Sequence, residues 1–323
     1  MHKMSPEFSF DQNLDEQFLS ERYPHLLDIL LADQTTKTNI LWATDDYKNY
    51  GELYQAQSEI SVQSITGKYA GIIAPRTSKS RDLQISRTKG KAEVFTPSWI
   101  CNEQNNLVDE AWFGRKDVFN HSKDKNWIST TTKIEFSDKR SKNWMAYVDE
   151  RRMEITCGEA PYLTSRYDAT TGEIIPLKQR IGLLDRKLRV VSENVSNESD
   201  WLKWSSRAFE SVYGFEYQGD NLLLARENLL ATYADYMFDY LHRKPTEAEL
   251  IAIAEIISWN LWQMDGLTGY PPYSDVNRLT AQLTIFDFLD SKPPQKVLPC
   301  HIKDWRARKI VVFNDLISKG SVK

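Results

Sequence analysis

Apolar positions in this chain gather into a few periodic stretches separated by long polar or proline-broken ones. Leu222 to Leu241 is the clearest, with apolar residues three and four apart and no glycine, and it predicts a helix. Pro245 opens a second helix over Thr246 to Ile257, and Trp201 to Glu210 has helical spacing as well. Tyr23 to Ala32, Y-P-H-L-L-D-I-L-L-A, predicts an N-terminal helix docked on the body. Short continuous apolar runs predict strands at Asn39 to Ala43, from Met153, at Ser211 to Tyr217 and at Leu283 to Leu289. Helices alternating with short buried strands define an α/β protein.

Other stretches are less regular. Thr96 and Pro97 suit a helix start, Thr96 as cap and Pro97 as first residue, with Ile100, Leu107 and Val108 as its apolar stripe. Residues 111–150 read as an irregular excursion, and 165–197 is charge-rich around I-G-L-L-D-R-K-L-R-V-V. Beyond Tyr270 the chain is proline-rich, ending in a basic amphipathic stretch, Trp305 to Ile317. The expected organisation is an N-terminal lobe (1–91), a core (92–270) with an insertion near 111–150, and a C-terminal extension (271–323).

Composition narrows the classes. A chain of 323 residues with 41% hydrophobic content buries a substantial core, and its net charge of −4 argues against non-specific coating of nucleic acid. A nucleic-acid site would have to be a patch. The densest basic segment carries Arg76, Lys79, Arg81, Arg87, Lys89 and Lys91 against Asp82, which suits phosphate contacts, with a solvated surface loop as the plainer reading of the segment by itself. Three dispersed cysteines without a C-x-x-C pair point away from disulfides and a zinc site, and no metal is expected. With no apolar leader and no run near the roughly 18 residues of a membrane span, a cytoplasmic protein is expected.

The candidate chemistry centres on Met153 to Leu163, M-E-I-T-C-G-E-A-P-Y-L, a strand that enters a glycine turn. Glu154 lies there, Glu216 ends the run V-Y-G-F, and Asp265 follows the stretch containing Trp262 and Met264. Ligands of open α/β sheets sit beyond the carboxyl ends of strands, so such acids can meet one ligand from several sides. A ribose diol and an adenine amine both want carboxylate acceptors.

These residues resemble the class I AdoMet-dependent DNA adenine methyltransferases of restriction-modification systems, especially restriction endonuclease subunit M proteins. The likeness lies in A-E-V-F-T-P-S-W-I, M-E-I-T-C-G-E-A-P-Y-L, S-V-Y-G-F-E-Y with A-R-E-N-L-L, and N-L-W-Q-M-D-G-L, in that order over residues 92–270. It implies a Rossmann-like domain with a mostly parallel sheet flanked by helices. It also implies S-adenosyl-L-methionine as cofactor: Phe95, Thr96 and Pro97 at its methionine end, Glu154, Cys157 and Gly158 around it, Glu216 on the ribose, Tyr217 against adenine and Asp265 on the adenine amine.

Two departures stand out. Ala160-Pro161 replaces the second glycine of the loop, and the acceptor-Pro-Pro-aromatic catalytic motif is not intact. Tyr270-Pro271-Pro272-Tyr273 keeps the prolines and a ring but lacks the polar acceptor, and Lys292-Pro293-Pro294-Gln295 lacks both acceptor and ring. The expected function is DNA adenine methylation in restriction-modification or phage defence; the alternative is a degenerate subunit that recognises DNA or assembles with a partner nuclease or other effector. A nuclease reading has only the chance-level Glu135 and Asp138-Lys139. Gln282, Leu283 and Phe286, in Q-L-T-I-F, resemble sliding-clamp peptides, with a packed strand as the plainer reading.

Overall fold

The computed structural model describes residues 16–79, 87, 95–274 and 298–320. Arg81, Lys89, Lys91, the Gln282–Phe286 peptide, the strand expected at 283–289 and the 292–295 motif lie outside them. The N-terminal part holds α1 (Glu16–Arg22), α2 (Pro24–Leu31) and the single turn α3 (Val62–Ile65). Next come α4 (Ser98–Phe113), a hairpin of β1 (Asn120–Lys123) and β2 (Asn126–Ser129), and α5 (Trp144–Asp149). The central part is β3 (Arg152–Glu154), α6 (Leu183–Asn194), α7 (Glu198–Glu210), β4 (Val212–Glu216), α8 (Gly219–Leu241), α9 (Glu247–Asn260) and β5 (Leu261–Gln263). A second hairpin, β6 (His301–Asp304) and β7 (Lys309–Val312), leads into α10 (Phe313–Gly320).

The architecture is mixed α/β around a three-stranded parallel sheet in the order β3-β4-β5. Arg152 is level with Val212, and Gly214 with Leu261, so all three strands point their carboxyl ends the same way. The central strand β4 is buried throughout, which explains its unbroken apolar run. One face of the sheet joins a core that includes α8, α9 and α2. On the other, Tyr213, Phe215, Trp262 and Met264 pack against Cys300, Ile302 and Phe313, so the C-terminal hairpin covers the second face of the sheet.

The strongest periodic stretches fold as expected. Thr246 caps α9 in a reciprocal pair with Glu249, the Thr-x-x-Glu arrangement that satisfies two orphan N–H groups. Helix α8 is buried along most of its length, and its Arg226 donates to Leu30 O (2.5 Å), Ala32 O (2.9 Å), Ser258 O (3.4 Å) and Leu261 O (2.7 Å). One guanidinium thus binds the carbonyl ends of α2 and α9 together.

Elsewhere the structure corrects the sequence reading. The 111–150 excursion is ordered: a hairpin turns at Asp124 and Lys125, both left-handed, without the Asn-Gly signal such turns usually carry. The charge-rich stretch contains α6, in which Asp185, Arg186 and Lys187 are all buried. Each has a partner from another element: Ser165 N–H for Asp185 (2.8 Å), Asp109 for Arg186 (2.6 Å) and Ser211 Oγ for Lys187 (2.5 Å). Helix α4 buries its polar face, Asn102, Asn105 and Asp109, and leaves Leu107 64% exposed. Its first residue is Ser98, whose N–H goes to Asp168 (2.7 Å), so a distant carboxylate replaces the expected Thr96 cap.

Asn39 to Ala43 makes isolated bridges rather than a strand. The Gln263 side chain takes the place of a neighbouring strand there, accepting from Leu41 N–H (2.7 Å) and donating to Leu41 O (2.8 Å). Gly219 N–H completes the join on Trp42 O (3.0 Å). A Cβ at Gly219 would fall onto the Leu41 carbonyl oxygen. Gly219→Ala is therefore expected to cost about 1–3 kcal/mol by overpacking, read as a lowered urea midpoint with unchanged slope.

Among the described residues, no helix is long and apolar enough to cross a membrane, and no group of three or more His, Cys, Asp or Glu could hold a metal.

Candidate functional site

The parallel register brings three acids to one end of the sheet. Glu154 closes β3, Glu216 closes β4, and Asp265 stands two residues past β5. Cys157 N–H donates to Phe215 O (2.8 Å), which folds the loop after β3 over the end of β4. Gly214, in β4, makes this close approach practicable: a Cβ there would come within 3.3 Å of Cys157 Sγ.

Carboxylates hold the loop in shape. Glu154 accepts from the N–H groups of Tyr162 (3.3 Å) and Leu163 (3.1 Å), while Glu216 accepts from Gly158 (2.9 Å) and Gln218 (3.1 Å). Burial pushes Glu154 up to about 8 against these N–H groups, with Glu216's charge adding to the rise. Glu216 is raised too, chiefly by burial, and so is the Cys157 thiol.

Gly158 (φ 54°) and Ala160 (φ 62°) are both left-handed. The alanine therefore adopts the backbone of the glycine that the resemblance would place there, at a cost of roughly 1 kcal/mol, and its methyl is buried.

Phe95 lies against the loop, 3.7 Å from where a Gly158 Cβ would sit. The Arg76 guanidinium stands over that ring, 5.1 Å from its centre. Thr96 interacts through its side chain with the Tyr162 phenol, and Pro97 precedes α4. Glu159, which the sequence reading passed over, accepts from Arg76 N–H (2.7 Å) and Tyr167 Oη–H (2.6 Å). It ties the basic segment to the loop.

At the other side, Tyr217 and Tyr273 meet edge to face at 6.2 Å. Burial pushes the Tyr217 phenol up to about 12, with Tyr273 and Asp265 contributing. Asp265 accepts from Leu267 N–H (2.8 Å) and donates its own N–H to Tyr270 O (2.8 Å). Tyr270 to Tyr273 thus follows the 266–269 turn that succeeds β5, with both prolines buried and Tyr273 at φ 61°.

Two expected phosphate contacts are corrected. Lys79 and Arg87 point inward onto Asp220, at 3.1 and 2.7 Å, and Arg87 also meets Asp46 at 3.2 Å. Tyr47 Oη–H donates to the same carboxylate (2.8 Å). Burial opposes the charge on Asp220, but Lys79 and Arg87 hold it well below the usual carboxylate range. Their charges are neutralised inside the protein because a buried Asp220 left alone would be too costly. Asp220, in Q-G-D-N just after a strand, was the sequence signal for an internal partner.

Two open clefts, of about 750 and 580 Å³, lie by α5 and α7, which lead into the opposite ends of β3 and β4. Phe136 and Trp144 line one and Trp204 and Arg207 the other, and neither is lined by Glu154, Gly158, Glu216 or Asp265. The carboxyl end of the sheet, not the clefts, carries the convergent acids.

No family model matches the chain, and neither a curated protein nor a solved structure matches it.

Proposed function

We propose that this chain is an AdoMet-binding, Rossmann-like protein of the DNA adenine methyltransferase type, acting in restriction-modification or phage defence. The observation that carries this reading is the convergence of Glu154, Glu216 and Asp265 on one end of a parallel sheet, with the Gly158 loop folded across it. Glu216 accepts backbone N–H groups on both oxygens, and its remaining acceptor capacity would serve a ribose hydroxyl. Asp265 uses Oδ1 on Leu267, leaving Oδ2 for an adenine amine. Tyr217 offers a ring face to the base, and Phe95, Thr96, Pro97, Glu154, Cys157 and Gly158 would surround the amino-acid end. When bound, AdoMet supplies an electrophilic methyl group on its sulfonium.

One observation favours a second reading, a cofactor-binding subunit without transfer activity that recognises DNA or assembles with a partner effector. The Tyr270–Tyr273 turn has no Asn, Asp or Ser side chain to accept from a target amine, and Asp265 is tied into the same turn.

Calorimetry with AdoMet, followed by transfer of labelled methyl to unmethylated DNA and to RNA, separates the two. Absence of AdoMet binding rejects both, and binding without transfer to any nucleic acid selects the second. Glu216→Ala and Asp265→Ala are each expected to weaken AdoMet about 10- to 100-fold, since a hydrogen bond to a charged group is worth about 1.5–3 kcal/mol. Intact affinity in both variants would show the ligand to be elsewhere.

A further inference from the structure

We infer that the 580 Å³ cleft beside α5 and α7 binds an unpaired nucleic-acid strand, an inference independent of the cofactor site. Lys79 and Arg87 are committed to Asp220 inside the protein, so phosphate contacts must come from elsewhere. This cleft lies at the other end of β3 and β4 from the convergent acids, and Arg140, Asn143, Met145, Lys203, Trp204 and Arg207 help to line it.

The polar groups left available there are chiefly donors. Asp149 and Glu210 also line the cleft, but Arg207 bridges them, 2.7 Å from Glu210, and Arg306 holds the second Asp149 oxygen at 2.8 Å. Among the described residues, Arg140 and Lys203 form no ion pair, and both are exposed. Asn143 Oδ1 accepts from Ala146 N–H (2.9 Å), which fixes the amide, and among the described residues its Nδ2 has no hydrogen-bond partner. Arg140, Lys203, Arg207 and Arg306 thus stand against two carboxylates, a local positive excess on a chain of net charge −4. A cleft of that sign draws in an anion.

Trp204 specifies which anion. The ring is half-buried and braced by Trp144 in a T-shaped contact at 4.8 Å, and Lys203 Nζ lies 5.9 Å from its centre. Met145, 41% exposed, extends the apolar wall. A cation beside an aromatic wall matches a phosphate beside a base. A duplex keeps its bases stacked inside and would leave Trp204 and Met145 uncovered, so an unpaired strand is the occupant that uses both features. Arg140 precedes α5 and Lys203 belongs to α7, and successive phosphates of one strand can meet both. The neighbouring cleft sets Glu135 and Asp138 against Lys133, which is the wrong balance for a phosphate track.

Fluorescence anisotropy with a labelled thymidine oligonucleotide tests the assignment on the full chain, with circular dichroism melts to verify folding. The double variant Arg140→Ala with Lys203→Ala is expected to weaken binding about tenfold and to lower the slope of log affinity against log salt by about 0.7 for each lost phosphate contact. Lys48→Ala with Lys68→Ala, which removes the same charge from a distant exposed surface, should leave affinity within about twofold. An abasic strand of equal length should bind the wild-type chain roughly tenfold more weakly, because it offers no base to Trp204. The assignment is overturned by a wild-type chain that binds no strand, by equal losses in the two double variants, or by an unchanged salt slope. An abasic strand, a duplex or thymidine monophosphate that binds as tightly as the oligonucleotide overturns it too. None of these outcomes alters AdoMet calorimetry, so failure here is distinct from failure of the cofactor reading.

Discussion

Replacement of Arg226 by methionine is expected to destabilise the protein by about 3–5 kcal/mol. Two effects compete at this site. The guanidinium is fully buried, burial lowers its pKa to about 10, and Asp33 only partly offsets that, so removal of the charge recovers a desolvation penalty. Against this, the carbonyls of Leu30, Ala32, Ser258 and Leu261 lose their donor in a dry interior. Each unsatisfied buried group costs about 1–3 kcal/mol, and Asp33 is left without its cation, so the loss outweighs the recovery. Arg226→Lys should rescue little, because one ammonium cannot span the ends of two helices as a planar fork does. Urea denaturation measures the effect, and a loss under about 1 kcal/mol would mean that other donors satisfy the carbonyls.

The second large effect is a pH dependence that runs opposite to ordinary acid denaturation. Glu154 has a folded pKa of about 8, against 4.5 in the unfolded chain. Below pH 4.5 both states carry the proton, and the burial costs little. As pH rises from 4.5 through 8 the unfolded state has released the proton that the folded state retains, so stability falls by up to about 1.4 kcal/mol per pH unit. Glu154→Gln, neutral in both states, should flatten the dependence by that one proton, while Glu216 and Glu227, also raised, keep their share. Urea midpoints at pH 5, 6, 7 and 8 read the slope. Equal slopes in wild type and variant would place the Glu154 carboxyl in water. In the proposed cofactor site, a bound ammonium or sulfonium beside Glu154 would draw this proton off, so AdoMet binding near neutral pH should be accompanied by proton release.

The sequence by itself determined α8, α9, β4 and the succession of acids, because each is recorded in neighbouring residues: a three-and-four repeat, a Thr-x-x-Glu cap, a short apolar run closed by a carboxylate. Only the tertiary structure decided that those acids share one end of a sheet, because strand order and direction depend on pairings across long connections. The same reason hid α6, whose Asp185, Arg186 and Lys187 become core residues only once Ser165, Asp109 and Ser211 arrive to satisfy them. It also inverted the reading of α4, where the polar face meets polar partners and the apolar stripe faces solvent. Arg87 and Asp220 are 133 residues apart, and Arg186 and Asp109 are 77 apart. Buried charge is tolerated only where such a partner is delivered, and local periodicity carries no trace of a partner so far along the chain.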